Sequence, residues 1–382
     1  MIDYLSFLKE CLTPFHTVKY IKDLLNNCGF KEYKINDKLQ TGKYYYIYRT
    51  MMVIFKIPKN PSFFRIIGTH NDSPVLKLKP NPFFSSGNMT MLNLKTYGGG
   101  LFHTFFDRPL VLGGLIISKD GEKVITMKDV AYIPSLAPHS AREIYKDGFT
   151  YNREDHLKAI LLKEELKELL SDALSFDLSL IEERITDTGE FILSGRQDNL
   201  SSTYCAVKAI IDDVSNDFVS MVSIFDHEEI GSETVSGAQS SVFSSLIDNI
   251  SRHLNIHTFT TSMFLSADAG HCDHPNYAER ADKHHPVKFN EGTIIKYGSG
   301  YATEVYGSSF IKTLNGKYQI MNVKNNVPCG GTIGSMVSVK LGIPSVDVGV
   351  PLLGMHSCCE IVAKKDIDFL SELMVEFFNK NG

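Results

Sequence analysis

A strand-like apolar run, Met221 to Phe225, delivers Asp226-His227-Glu228-Glu229 and then the turn Ile230-Gly231-Ser232. Four ionisable residues in a row at the end of such a run narrow the folds open to this chain. A packed interior cannot take in two adjacent carboxylates and an Asp-His pair without partners, because an unpaired buried charge is very costly. Either the segment is a solvated loop, or the fold sets cations opposite it. The remainder of the chain favours the second reading. Four other strand-like runs end at a residue of metal-ligand type: His70, Asp198, Asp268 and His356. Two carboxylates side by side can then divide the work, one binding a metal while its neighbour stays free as a base.

The order of patterns around these residues points to an α/β fold with a mixed sheet. Residues 1–30 read as helical, with Pro14-Phe15-His16 as a break and Gly29 as the stop. Tyr44–Tyr48, Met51–Ile57 and Phe63–Ile67 are three β-rich runs, and the third leads to Gly68-Thr69-His70-Asn71-Asp72. His70 and Asp72 are two apart, so an extended backbone points them the same way, as for a histidine ligand oriented by a carboxylate. From about Pro80 the texture changes. Tyr97-Gly98-Gly99-Gly100 stands beside an aromatic cluster and Asp107-Arg108, without the Gly-Lys-Ser/Thr of a phosphate loop, so close backbone packing is expected. Leu110–Ser118 and Glu122–Met127 read as a hairpin. His139 falls in a proline-punctuated loop. His156–Leu170 shows helical spacing of leucines, with His156 at its start. Residues 84–184 are therefore read as an inserted domain between two parts of a main domain, 1–83 and 185–382.

The main sheet is expected to resume at Phe191–Ser194, followed by a helix over Tyr204–Ile211. Further strands are expected at Met221–Phe225, Thr261–Ser266, Thr293–Tyr297 and Ser345–Val350, and a last helix over Ile367–Phe378. Ligand candidates at the carboxyl ends of strands suit an open α/β sheet, where sites lie beyond strand ends.

Charge and composition remove other classes. A net charge of -5 gives no reason for a nucleic acid or an anionic membrane as partner, and no apolar run approaches the ~18 residues of a membrane span. The start lacks a basic and then apolar leader. The seven cysteines follow no zinc-ribbon or redox spacing, which fits reduced thiols in a cytoplasmic setting.

Seven ordered blocks, from His70-Asn71-Asp72-Ser73-Pro74 to Met355-His356-Ser357, resemble the aspartyl aminopeptidases, a family of zinc metallopeptidases, over about Leu8 to Glu360. The resemblance implies a catalytic domain in two parts and an inserted β-rich dimerisation and lid domain. It implies a two-zinc site, with cobalt or manganese able to substitute. Asp198 would bridge the metals; His70, Glu229, Asp268 and His356 would complete both shells, with the partition of Glu229 and Asp268 left open. Glu228 would be the general base on a metal-bridging water, and Asp72 would orient His70. His139 would reach a neighbouring subunit's site, Lys296 would read an acidic side chain, and His271 and His274 would line the site. The substrates implied are peptides with an amino-terminal Asp or Glu, and the assembly a homo-oligomer built from dimers, up to a dodecamer. Related alternatives are a two-metal aminopeptidase or deacylase of other specificity, or a non-catalytic shell-forming scaffold. Four positions depart from the family pattern: Asn71 for a threonine, Phe102 and Phe105 for tryptophans, and Cys359 for an arginine.

Overall fold

Three apolar runs, Phe64–His70, Val219–Phe225 and Met263–Ala267, lie side by side and parallel at the centre of a nine-stranded mixed sheet. These strands are buried on both faces, which is why they read as nearly continuous apolar runs. Phe225 pairs with His70 and Ser266 with Gly68, so all three strands leave the sheet at one level. The register thus brings the residues that follow them to one edge. The computed structural model describes residues 3–35, 37–140, 142–146, 148–215, 217–256 and 261–380.

Alternate residues of the strands face opposite helix layers. Ile67, Val222 and Leu265 pack with Phe7, Ile21, Ala206 and Leu370, from helices Tyr4–Glu10, Pro14–Asn27, Gln197–Asp212 and Lys364–Asn379. Ile66, Met221 and Phe264 pack with Leu246, Ile250 and Val337, from helices Ser241–Leu254 and Ile333–Leu341. Pro14 begins the second helix rather than breaking it, because a residue at the first helical position needs no N–H. Among the described residues no helix is long and apolar enough to cross a membrane.

A second unit is a closed barrel of Val75–Ser86, Met89–Tyr97, Ala159–Leu161, Gly121–Tyr132, Pro109–Ser118 and Ala173–Ile181, with its own apolar core. Residue 84 falls inside the first of these strands. Phe102 and Phe105 sit in that core, nearly unexposed. The α/β class with a β-rich second unit is as the sequence indicates, and two local expectations are corrected. The helix expected over His156–Leu170 is instead a turn at His156, a strand Ala159–Leu161 and a helix only over Glu165–Leu170. Leu157, Ala159 and Leu161 are buried in alternation, so the strand period wins over a leucine spacing that fits a helix by coincidence. Phe191–Ser194 does not rejoin the main sheet. It pairs with Thr186–Asp187 and Glu360–Ala363 in a separate three-stranded sheet, which carries Glu360 towards the site.

Candidate active site and metal centre

His70 is the last residue of its strand, and Glu228, Glu229 and Asp268 follow the ends of the two neighbouring strands. Asp198 stands in the first turn of Gln197–Asp212, where the backbone leaves helical geometry, and His356 follows the short strand Pro351–Leu352. His356 is held at φ 67, an uncommon conformation for a residue with a side chain. These elements bring all the predicted ligands to one cavity of about 520 Å³.

Within it the Asp198 carboxylate lies between the two imidazoles. Its Oδ1 is 3.6 Å from His70 Nε2 and its Oδ2 is 3.2 Å from His356 Nε2. His70 Nε2 is also 3.4 Å from Asp268 Oδ1, and His356 Nε2 is 3.3 Å from Glu229 Oε1. By these distances Asp268 lies beside His70, Glu229 beside His356, and Asp198 beside both. Asp198 Oδ1 and Glu229 Oε1 are buried and make no hydrogen bond. Ligand atoms of His70, Asp198 and Glu229 lie within 4.8 Å of one another. Buried carboxylate oxygens without donors, facing imidazole nitrogens, form a donor set suited to zinc.

The charges of the metal-free cluster are strongly coupled. Burial alone would lower the His356 imidazole, but Asp198 and Glu229 override it and hold it up at about 11. His70 is raised in the same way by Asp198, Asp268 and Asp72 against its own burial. Burial pushes the Glu228 carboxyl up to about 8; His70 opposes this, while Asp268, Glu229 and Asp198 add to it. Glu229 is pushed up to about 7, again by burial first.

Asp72 does more than face His70 Nδ1, which lies 3.3 Å from its Oδ1. Its Oδ1 accepts the Glu228 amide at 3.1 Å, and its Oδ2 accepts the Glu229 amide at 3.1 Å and the Tyr97 hydroxyl at 2.6 Å. One buried carboxylate therefore sets both a histidine and the Glu228-Glu229 turn. Burial would raise its pKa, yet His70, Tyr97 and the Glu229 amide hold it below the usual value. Asn71 turns away from the cluster and donates to the Thr50 carbonyl, so its departure from threonine leaves the cluster untouched.

The triple glycine packs as expected, and its location gives the reason. A Cβ on Gly98, at φ +73, would meet Glu229 Cβ at 3.2 Å, and one on Gly99 would approach His356 Nδ1. The Gly99 carbonyl lies 3.2 Å from His356 Nδ1, a partner that turns Nε2 towards Asp198. Glu360 was not singled out by sequence reasoning. Its Oε1 accepts the His356 amide at 2.9 Å and its Oε2 the Asp198 amide at 3.1 Å, so one carboxylate ties two backbones together. The available signal was a lone carboxylate opening an apolar strand, Glu360-Ile361-Val362.

Lys296 is only 2% exposed, although a lysine near a strand end is ordinarily solvated. Its Nζ donates to the Ala269 carbonyl at 2.7 Å, lies 3.8 Å from Asp268 Oδ2 and sits 5.4 Å from the centre of the Tyr301 ring. Lys296, His271 and Tyr301 line the same cavity as the ligand cluster. The His271 imidazole is lowered, first by desolvation and then by Lys296. Tyr301 was missed as well; its strap is held where Asp347, fully buried, accepts the Ala302 amide at 2.6 Å and the Thr332 hydroxyl. His274 lines an adjoining cavity instead, and His139 is exposed in its turn, on the walls of neither.

The sequence profile of the family described as aminopeptidase I zinc metalloprotease (M18) matches residues 7–169 and 160–378. The chain is 31% identical to the aspartyl aminopeptidase of Aspergillus oryzae, covering 99% of this chain and 95% of that protein. It is 30% identical to aspartyl aminopeptidase 4 of Saccharomyces cerevisiae, covering 99% and 94%. It superposes on the structure of the S. cerevisiae mApe1 dodecamer with a TM-score of 0.82 at 25% identity, covering 98% of this chain and 95% of that one. With the profile spanning nearly its whole length and relatives named as aminopeptidases at this identity, the chain belongs to the aminopeptidase I family of zinc metalloproteases.

Proposed function

We propose that this chain is a two-zinc aminopeptidase that removes acidic residues from the amino end of peptides. The observation that carries the reading is the placing of Asp198 between His70 and His356, with Asp268 on one side and Glu229 on the other. His70, Asp198 and Asp268 would hold one ion, and His356, Asp198 and Glu229 the second. Bound zinc supplies Lewis acidity to the scissile carbonyl and lowers the pKa of a water. Glu228, beside the cluster but outside the ligand set, accepts the proton of the attacking water and returns it to the leaving amine. Asp72 holds the Glu228 amide and so fixes where that carboxylate stands. Lys296 at the cavity wall reads the carboxylate of the first side chain, in keeping with the names of the relatives.

Zinc titration tests the metal part. At pH 7 the metal-free His356 is protonated, since its imidazole is held up at about 11, and the His70 imidazole is raised in the same way by its neighbouring carboxylates. Zinc must displace protons held by these imidazoles, so affinity rises with pH and loading at pH 7 releases about one proton or more per chain. Calorimetry in buffers of different ionisation enthalpy should give two zinc ions per chain and that release. One ion, or binding that does not change between pH 6 and 8, would refute the arrangement. A panel of aminoacyl peptides, with Asp and Glu cleaved faster than Leu or Ala, tests the substrate part.

The barrel unit, read as the inserted dimerisation and lid domain of 84–184, would bring His139 to a neighbour's site. Support comes from its exposure and from the loop's anchor, where Asp107 accepts the Ser135 amide at 2.8 Å. The chain then works as a dimer or a larger closed assembly, as in the S. cerevisiae dodecamer. Light scattering with a parallel assay should find activity only in oligomeric fractions; an active monomer would count against the shared site.

A further inference from the structure

A second cavity of about 450 Å³ adjoins the metal cavity and shares His271, Tyr301, Gly330 and Met355 with it as a common wall. None of the ligand candidates lines it, nor does Lys296. Its floor is apolar and closed: Val287, Met321 and Leu352 are each at most 6% exposed. Charged and polar groups also line it, among them Asp273, Asp282, Arg280 and Lys324. The two cavities are adjacent at a definite point of the sheet. Lys296 and Met321 are register partners on the parallel strands Thr293–Tyr297 and Tyr318–Asn322. Gly270 lies against both, since a Cβ there would stand 3.4 Å from Lys296 Cε and 3.6 Å from Met321 Sδ. Paired strands are about 4.8 Å apart, a distance that one to two residues of extended peptide span at about 3.5 Å each.

We propose that this chamber binds the second residue of the substrate peptide and selects a large apolar side chain there, such as Leu or Phe. The inference rests on the reading of Lys296 as the reader of the first residue. A peptide whose first side chain meets Lys296 has its next residue within reach of Met321, across the wall formed by Tyr301 and Met355. A side chain entering there leaves water for an apolar floor, whereas glycine leaves the floor wet. Selection then acts on kcat/KM through the leaving portion of the peptide, independently of the charge at the first position.

The test compares kcat/KM for Asp-Leu-Ala and Asp-Gly-Ala on the zinc-loaded protein. The expected ratio is about tenfold or more in favour of leucine. Val327→Trp, from a half-buried loop position on the chamber wall, should bring that ratio close to one by filling the space. Should that variant fail to fold, Val323→Lys, which sets a charge in the same chamber, should lower the ratio likewise. A ratio near one in the unmodified protein, or one that survives both substitutions, overturns the inference. If another first residue is preferred over Asp and Glu, the acidic reading falls. The same pair of peptides with that residue first then decides the chamber separately.

Discussion

If Glu228 is the base of the proposed two-zinc site, Glu228→Gln should abolish turnover while zinc content stays at two ions per chain. The glutamine has the shape of the acid and keeps the backbone amide on Asp72, but it cannot take a proton from water. Loss of a general base costs roughly 10²–10⁴-fold in rate. Glu229→Gln should behave differently, since it removes the carboxylate that the proposed site uses as a ligand beside His356 and should lose the ion on that side. Metal analysis and kcat measured on the same samples separate the two. The metal-free state adds a second readout. Glu228 is pushed up to about 8 there, by burial first and then by the surrounding carboxylates, so it carries a proton at pH 7. Glutamine resembles that protonated form, and metal-free Glu228→Gln should melt no lower than the unmodified protein. In the proposed site Asp198, Glu229 and Asp268 would be neutralised by bound cations, so Glu228 would come back down and be available as a base only when the site is loaded. Near-normal turnover in Glu228→Gln would mean that another group is the base.

The parts of this site that a reader of the sequence can find are those set by local chemistry. His70, Glu228-Glu229 and Asp268 each end an apolar run, and parallel strands in register bring such ends together at one edge. His70 and Asp72 likewise meet because extended backbone turns residues two apart the same way. What escapes the sequence is set by partners distant along the chain. The Gly99 carbonyl meets His356 across 257 positions, and Glu360 meets the Asp198 amide across 162. Nothing local to a glycine or to a strand-start glutamate records such a partner. The failure at His156–Leu170 has a different origin. Leu157 and Leu161 are four apart, a spacing that satisfies both a helical face and the alternation of a short strand, and pairing with the strands on both sides, which closes the barrel, decided between them. The burial of Lys296 was hidden for the same long-range reason: its acceptor is the Ala269 carbonyl, which lies on another strand's exit loop.

That burial gives Lys296→Met the sharpest selectivity expected of any substitution outside the ligand set. An exposed lysine would contribute little to recognition, because water screens it. Lys296 is nearly out of water and is held by one carbonyl, with Asp268 Oδ2 3.8 Å away and the Tyr301 ring beside it. Its ammonium is a compact charge, preset for a single carboxylate entering the cavity. Truncating one partner of such a desolvated pair costs roughly 2–5 kcal/mol, a factor of about 30 or more in kcat/KM. The loss should fall on aspartyl and glutamyl substrates, whereas leucyl and alanyl substrates no longer set an apolar side chain against a buried ammonium and should lose little or gain. Zinc affinity should hold or rise, because the ammonium competes with the metal for Asp268 and its removal ends that competition. The measurement is kcat/KM for all four substrates together with zinc stoichiometry on one preparation. A uniform loss across substrates with zinc retained would make Lys296 a support of the Ala269 loop and not a reader of charge.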